Sequence, residues 1–139
     1  MLLDEHKVAL LATTDGDGRP HARWLSPAVL GDRPGALYAV TLPSYSKVIQ
    51  VRAQPCVEWL VQKPDLSEVI TLRGRVNVID NPMLRTEVLE AIGPRLWSLW
   101  KLADGERELV VLETVITEAV HYLPLQGRTS SARYSPGGC

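Results

Sequence analysis

The clearest indication of the fold is the sequence of residues 8–27, VALLATTDGDGRPHARWLSP. Residues 8–14 are aliphatic and β-branched, a composition typical of strands. Asp15-Gly-Asp-Gly18 follows, and its glycines accept the positive φ that a tight reversal requires. The chain then continues as a second extended segment from Pro20 to Pro27. The pattern predicts a β-hairpin, and therefore an antiparallel sheet.

Four further strands and two or three short helices are predicted along the rest of the chain. Val69–Ile79 is the plainest strand, because its aliphatic residues alternate with polar ones. The other predicted strands are Ala36–Thr41, Cys56–Gln62 and Glu108–Tyr122. The predicted helices are Ser44–Ala53 with Ser44 as N-cap, a segment that starts at Asn81-Pro82, and Arg95–Leu102. Six mostly antiparallel strands with small helices between them predict a mainly β fold, a small closed or nearly closed barrel.

Size and composition predict one cytoplasmic domain. A chain of 139 residues with two cysteines makes a disulfide framework unexpected and fits a reducing compartment. The formal charge of −1 lacks the basic excess of a nucleic-acid-binding surface. No apolar run approaches the ~20 residues of a membrane span. We therefore expect a domain at residues 8–124 without nucleic-acid or membrane partners. A disordered tail is expected at residues 125–139, where Gly, Ser, Arg and Pro replace aliphatic residues.

The densest group of candidate binding residues is the turn from Thr41 to Lys47. Three hydroxyls, the backbone N–H groups of a helix start and one ammonium converge there, and a phosphate monoester needs such donors. The alternative is an ordinary helix N-cap beside a solvated lysine. Arg23, on a strand expected to neighbour this turn, is either an additional cation for the same anion or a surface arginine.

Taken in order, the motifs resemble those of a known family. They are Leu11-Ala-Thr-Thr-Asp-Gly-Asp-Gly-Arg-Pro-His21, Arg23-Trp24-Leu25, Leu37-Tyr-Ala-Val-Thr41, Lys47, and Leu72-Arg-Gly-Arg-Val76 running to Pro82. Together they resemble the FMN-binding split barrels of the pyridoxamine-phosphate-oxidase-like superfamily, with the general-stress-protein branch closest in length and order. The resemblance implies a six-stranded antiparallel split β-barrel that works as a homodimer with FMN at the subunit interface.

The resemblance also assigns residues to the cofactor. It implies that Arg23, Trp24 and Leu25 line the isoalloxazine ring, and that Thr41 and Lys47 hold the ribityl chain and phosphate. Ser46, a hydroxyl of the same turn, joins this set. The oxidase itself has serine and arginine where this chain has Tyr45 and Ser46. It also has a C-terminal segment that helps bind pyridoxal phosphate, which has no counterpart in Leu125 to Cys139, so vitamin B6 oxidation is not expected. Some relatives use a deazaflavin or haem instead of FMN.

These observations support more than one function. The first is a flavin-dependent oxidoreductase of unknown substrate, for which His21 and Tyr45 are the only acid/base candidates within reach. The second is a non-catalytic flavin-binding stress or sensor protein, and the third is a dimer whose site has decayed. No metal site is expected. Gly74, inside the fifth strand, indicates a close approach of a neighbouring backbone or of the flavin edge.

Overall fold

A computed structural model describes residues 8–42, 45–93 and 109–134 of the chain. Seven antiparallel strands form one sheet, in the order β2-β1-β4-β5-β6-β3, with β7 beside β6. The strands are β1 (Ala9–Thr14), β2 (Pro20–Leu25), β3 (Ala36–Thr41), β4 (Cys56–Gln62), β5 (Val69–Ile79), β6 (Val110–Leu123) and β7 (Arg128–Arg133). Two α-helices, α1 (Ser46–Ala53) and α2 (Pro82–Ile92), and the 3₁₀ turn Pro124–Gln126 complete the described part.

The sheet is open between β2 and β3, and a two-residue bridge brings these ends together. Ala28, just after β2, exchanges both backbone hydrogen bonds with Tyr38 of β3, at 2.7 and 2.9 Å. The predicted mainly β, antiparallel architecture is therefore confirmed, and it is consistent with a split barrel. The predicted helix Arg95–Leu102 lies outside the described residues.

The β1–β2 hairpin forms as its sequence predicts. The backbone N–H of Asp15 donates to Arg19 O and that of Gly18 to Asp15 O. The Asp15 carboxylate accepts from the backbone N–H groups of Asp17 and Arg19, both at 2.9 Å. Gly18 has φ 80°, a conformation that costs glycine nothing. Glycine and one carboxylate therefore fix the turn through contacts that are local in the sequence.

The two helices cover opposite faces of the sheet. Helix α1 packs its buried Val48 and Val51 on the inner face, together with residues such as Leu11 and Trp59. Helix α2 packs Val88 and its neighbours on the other face of β3 and β6. Neither helix has the length or the apolar run needed to cross a membrane.

The predicted N-cap residue is correct for helix α2 but not for helix α1. Asn81 caps α2, because its side chain accepts from the backbone N–H groups of Met83 and Leu84, as its position before Pro82 predicted. At α1 the N-cap is Tyr45, which makes no side-chain cap bond. The N-cap is therefore one residue later than expected, and Ser44 lies outside the described residues.

Gly74 is required by a neighbouring backbone. A Cβ built on Gly74 would overlap the carbonyl oxygen of Val115 and lie 2.8 Å from Thr114 Cγ2. The register of β5 and β6 shifts between Arg73 and Gly74, and the extra residue, Thr117, donates its hydroxyl to Arg73 O at 3.2 Å. Of the two explanations that the sequence left open, the close approach of a neighbouring strand is thus the one that the fold exhibits.

Two features differ from the sequence-based expectations. Residues 128–133 form strand β7, paired with β6 through six residue pairs, where a disordered tail was expected. All six β7 residues are exposed. The strand pairs with β6 through its backbone, and its sequence lacks the apolar alternation that would predict a strand. Cys56 is disulfide-bonded, so a bridge is present although no disulfide framework was expected; a single bridge leaves no spacing pattern in a sequence.

Candidate functional site

Arg23 lies on the inner face of β2, where the start of α1 approaches the sheet. Its Nη1 donates to Thr13 Oγ1 at 2.7 Å and to the backbone oxygen of Leu11 at 3.3 Å. Its Nη2 donates to Gln50 Oε1 at 2.9 Å. Burial lowers the pKa of the Arg23 guanidinium. The charge is therefore partly desolvated and is held by three neutral oxygens.

Gln50 connects helix α1 to this arginine. Its side chain is buried, with 9% of its surface exposed. Besides the bond from Arg23, Gln50 Oε1 accepts a 2.6 Å hydrogen bond from the hydroxyl of Thr13, which is 2% exposed. Arg23, Thr13 and Gln50 thus form a closed triangle of hydrogen bonds, which we call the Arg23 triangle. Each member contacts the other two, so the guanidinium has little freedom to move.

Lys47 lies one helical turn before Gln50 and provides a second cation. Its Nζ donates to Thr41 Oγ1 at 3.1 Å, and Thr41 is fully buried at the end of β3. The same Nζ lies 4.4 Å from the centre of the Tyr45 ring, a cation–π contact. Partial burial, together with the positive charge of Arg23, lowers the pKa of Lys47. The two cations are therefore close enough to repel each other.

Among residues 8–42, 45–93 and 109–134, no carboxylate lies within ion-pair distance of Arg23 or Lys47. The carboxylates that form ion pairs do so elsewhere, with His21, Lys63, Arg73 and His121. Burying unbalanced charge is costly. Two half-buried cations with neutral partners are therefore an arrangement suited to an anionic ligand.

Comparison with known proteins gives a consistent result for the fold. No protein-family model and no curated protein matches the sequence. General stress protein 26 from Bacillus anthracis str. Sterne superposes with a TM-score of 0.74 at 14% identity, over 96% of this chain and 93% of that one. A NimC/NimA family protein from Clostridium acetobutylicum gives 0.73 at 26% identity, over 94% and 88%. A pyridoxamine 5'-phosphate oxidase-related, FMN-binding protein from Nostoc punctiforme gives 0.68 at 18% identity, over 97% and 94%.

The chain has the pyridoxamine-phosphate-oxidase-like fold. Solved proteins that share it differ in cofactor. One is a haem-binding protein from Mycobacterium smegmatis, with a TM-score of 0.74 at 18% identity over 95% of this chain and 55% of that one. Another is an F420 reductase, with 0.66 at 20% identity over 85% and 92%. The fold alone therefore leaves the cofactor to be argued from the site.

Within this pyridoxamine-phosphate-oxidase-like fold, three of the predicted site residues meet and three do not. Arg23, Thr41 and Lys47 converge where β2, β3 and α1 approach one another. Leu25 shares the inner face with Arg23 but packs against the apolar core. Trp24 points to the outer face and is 63% exposed, because neighbouring residues of a strand face opposite sides. Ser46 is exposed at the first position of α1.

Sequence reasoning missed two members of the Arg23 triangle, although both leave a weak signal. Thr13 follows Ala9 and Leu11 at the inward positions of β1, so a polar residue there needs a partner inside. Gln50 lies three residues after Lys47 and between the buried Val48 and Val51. An inward-facing polar residue on each of two neighbouring elements is a sign of a polar network.

The two acid/base candidates are both engaged in local contacts. His21 Nε2 lies 2.8 Å from Asp15 Oδ2, and this hydrogen bond is the largest cause of the lowered pKa of the Asp15 carboxyl. His21 shares the inner face of β2 with Arg23 and pairs across the sheet with Thr13. The ring of Tyr45 faces the ammonium of Lys47. The described residues contain no group of three His, Cys, Asp or Glu that could hold a metal ion.

Proposed function

We propose that this chain binds FMN, with the flavin phosphate near Lys47 and Thr41 and with Arg23 as the second cation, and that it acts as an oxidoreductase. The observation that carries the proposal is the pair of half-buried cations, Arg23 and Lys47, with only neutral partners among the described residues. A phosphate monoester carries up to two negative charges at neutral pH and would balance both cations.

The donor set fits a flavin phosphate in its chemistry. Lys47 offers a compact ammonium, which suits a phosphate oxygen. Thr41 holds that ammonium in place through a buried hydroxyl. The guanidinium of Arg23 retains N–H groups beyond the three that it donates, and these can meet a ligand oxygen. FMN, when bound, would supply hydride and electron transfer, while these residues bind and orient it.

We further propose that the chain forms a homodimer with the flavin at the subunit interface. Two observations support a dimer: Lys47 is only half-buried, and Trp24 is a large aromatic residue, 63% exposed on the outer face of β2. Tryptophan is one of the residue types enriched in protein–protein interfaces. A small-molecule substrate would then enter beside the flavin. The molecular mass measured by light scattering at micromolar concentration tests the dimer. A monomeric mass would refute it.

A non-catalytic flavin-binding or stress-sensing protein is the second candidate. It is favoured by the engagement of both acid/base candidates, since His21 is hydrogen-bonded to Asp15 and Tyr45 contacts Lys47. An assay with NADH or NADPH and common electron acceptors separates this candidate from an oxidoreductase. A deazaflavin or haem in place of FMN would be revealed by the absorption spectrum of the purified protein.

The phosphate assignment is tested by replacing Lys47 with alanine. Losing a hydrogen bond to a charged group costs about 1.5–3 kcal/mol, so Lys47→Ala should weaken FMN binding by roughly ten- to a hundredfold. Riboflavin, which lacks the phosphate, should lose far less. Both affinities are measured by fluorescence quenching of the flavin.

The control for this titration is Arg75→Ala. Arg75 is an exposed cation on the outer face of β5, and its loss should leave FMN affinity within about threefold because surface charges are screened. If Lys47→Ala binds FMN like the wild type, or if both flavins weaken equally, the phosphate does not bind at Lys47.

A further inference from the structure

Among the described residues, the hydrogen-bond partners of Arg23 are all neutral. They are a backbone carbonyl, the Thr13 hydroxyl and the Gln50 amide oxygen. Neutral acceptors can fix the position of a guanidinium, but they cannot cancel its charge. A carboxylate in the same place would do both. The identity of the acceptors therefore decides how much positive charge remains for a ligand.

The residue at position 50 determines whether this acceptor of Arg23 is neutral or negatively charged. Glutamine and glutamate have nearly the same shape, so a glutamate at this position could accept the same bonds from Arg23 and Thr13. It would also place a negative charge 2.9 Å from the guanidinium. That charge would lie one helical turn from Lys47, on the same face of α1. Such a carboxylate would stabilise the fold by balancing the two cations, and it would compete with any anion that they bind.

We propose that Gln50 and Thr13 are positioning residues that hold Arg23 with neutral oxygens, and that the neutrality of residue 50 gives the site its preference for a phosphorylated flavin over riboflavin. The preference for FMN rests on the function proposed above. The argument about charge does not rest on that function, because it follows from the neutral acceptors of Arg23 and from the position of Lys47 one helical turn from Gln50. It applies to any anionic ligand of the Arg23 triangle.

The decisive substitution is Gln50→Glu, compared with Gln50→Leu. For Gln50→Glu, the melting temperature of the apoprotein should rise by about 2–5 °C, because the carboxylate gives cations that are already partly buried in the wild type a charged hydrogen-bond acceptor. The affinity for FMN should fall at least tenfold, and that for riboflavin by less than about threefold. Gln50→Leu removes the acceptor without adding charge, so it should lower both the melting temperature and the affinity for FMN.

Opposite signs in stability and affinity are what distinguish this role from a structural one. A residue that only supports the fold would lower both quantities whichever substitution is made. Gln62→Glu provides the matched control, because Gln62 lies at the end of β4 on the outer face and takes no part in the triangle. It should change FMN affinity by less than about twofold.

Thr13→Ser and Thr13→Val test the second positioning residue. Serine keeps the hydroxyl that bonds Arg23 and Gln50, and it should retain FMN affinity within about threefold. Valine keeps the shape of threonine but removes the hydroxyl, and it should weaken FMN binding about tenfold. Equal effects of serine and valine would overturn the role of the Thr13 hydroxyl.

The outcomes separate this inference from the flavin assignment. If the wild type binds neither flavin, the assignment fails, and the charge argument is judged on the apoprotein with inorganic phosphate as the probe. Phosphate should then raise the melting temperature of the wild type but not that of Gln50→Glu. A Gln50→Glu variant that melts below the wild type, or that binds FMN or phosphate as the wild type does, overturns the inference.

Discussion

Arg23 and Arg73 lie on opposite faces of the same sheet, and they differ in the charge of their partners. On the outer face, Arg73 Nε donates to Glu58 at 2.7 Å and Nη1 to Glu118 at 3.2 Å. The hydrogen bond to Glu58, followed by that to Glu118, raises the pKa of Arg73. On the inner face, Arg23 has only neutral acceptors in the part of the chain that the structure describes, and burial lowers its pKa.

This distribution of carboxylates is the reverse of what solvation alone would favour, because a half-buried charge needs a counter-charge more than an exposed one does. The exposed arginine, which water can stabilise, has two carboxylates, whereas the half-buried one has none among the described residues. A charge that is costly to bury and has no counter-charge within reach is a feature expected of binding sites rather than of stable surfaces. The outer face therefore contributes modestly to stability, whereas the inner cations have no counter-charge among the described residues.

The strongest way to break this comparison is to remove both inner cations together. Arg23→Met with Lys47→Met should weaken FMN binding by roughly 10²–10⁴-fold, because each lost bond to a charged group costs about 1.5–3 kcal/mol. The two sites share a ligand, so the effects need not be strictly additive. Isothermal titration or fluorescence quenching measures the affinity.

The matched double variant is Arg73→Met with Arg75→Met, which removes the same net charge from the outer face. Its affinity for FMN should stay within about threefold of the wild type. Similar losses in the two double variants would mean that FMN responds to the net charge of the protein and not to the inner cations.

The second prediction concerns the stability of the apoprotein and its pH dependence. The pKa of Lys47 lies below its ordinary value of 10.5 because of burial and the charge of Arg23. The folded protein therefore holds this proton less tightly than the unfolded chain, and charged Lys47 destabilises the fold at neutral pH. The penalty disappears as the pH rises past the ordinary lysine pKa. Lys47→Met should thus melt above the wild type at pH 7, and the difference should shrink toward pH 11.

Thermal unfolding in a phosphate-free buffer measures this effect without a competing anion. Lys63→Met is the matched control, because Lys63 has a carboxylate partner, Glu68, at 3.5 Å. Its loss should leave the melting temperature at pH 7 unchanged or slightly lower. If the melting temperature of Lys47→Met is no higher than that of the wild type, the repulsion between Lys47 and Arg23 does not destabilise the folded protein.

Local sequence patterns predicted the elements that local contacts determine. The Asp15-to-Gly18 turn, the Asn81-Pro82 helix start and the alternation of β5 each depend on neighbours in sequence. Alternation also places Arg73 and Arg75 on the exposed face of β5. The same rule excludes Trp24 from the face of Arg23, although the family resemblance placed both beside the flavin.

The features that the sequence did not predict depend on distant contacts. The Arg23 triangle joins residues separated by 10, 27 and 37 positions on three elements, and nothing in any one segment indicates these pairings. Strand β7 has no apolar alternation, and all six of its residues are exposed, so its pairing with the distant strand β6 has no signal in its own sequence. The position of Arg23 and Lys47 was thus predictable as a pair of candidates, whereas their neutral partners were not.

The smallest effect is expected for a substitution of Arg73, the arginine of the outer face. It tests whether the outer ion pairs contribute only modestly to stability. Arg73→Met removes an exposed ion pair with Glu58 and a second with Glu118, and exposed pairs contribute at most about 1 kcal/mol. The free energy of unfolding, measured by urea titration, should therefore fall by less than about 2 kcal/mol for the two pairs together. The loss should shrink further in 1 M NaCl, where the Debye length is about 3 Å and salt weakens the wild-type pairs. Affinity for FMN should be unchanged. A larger loss that persists in high salt would mean that Arg73 supports the β5–β6 bulge through packing rather than charge, and a loss of FMN affinity would mean that the two faces of the sheet are not independent.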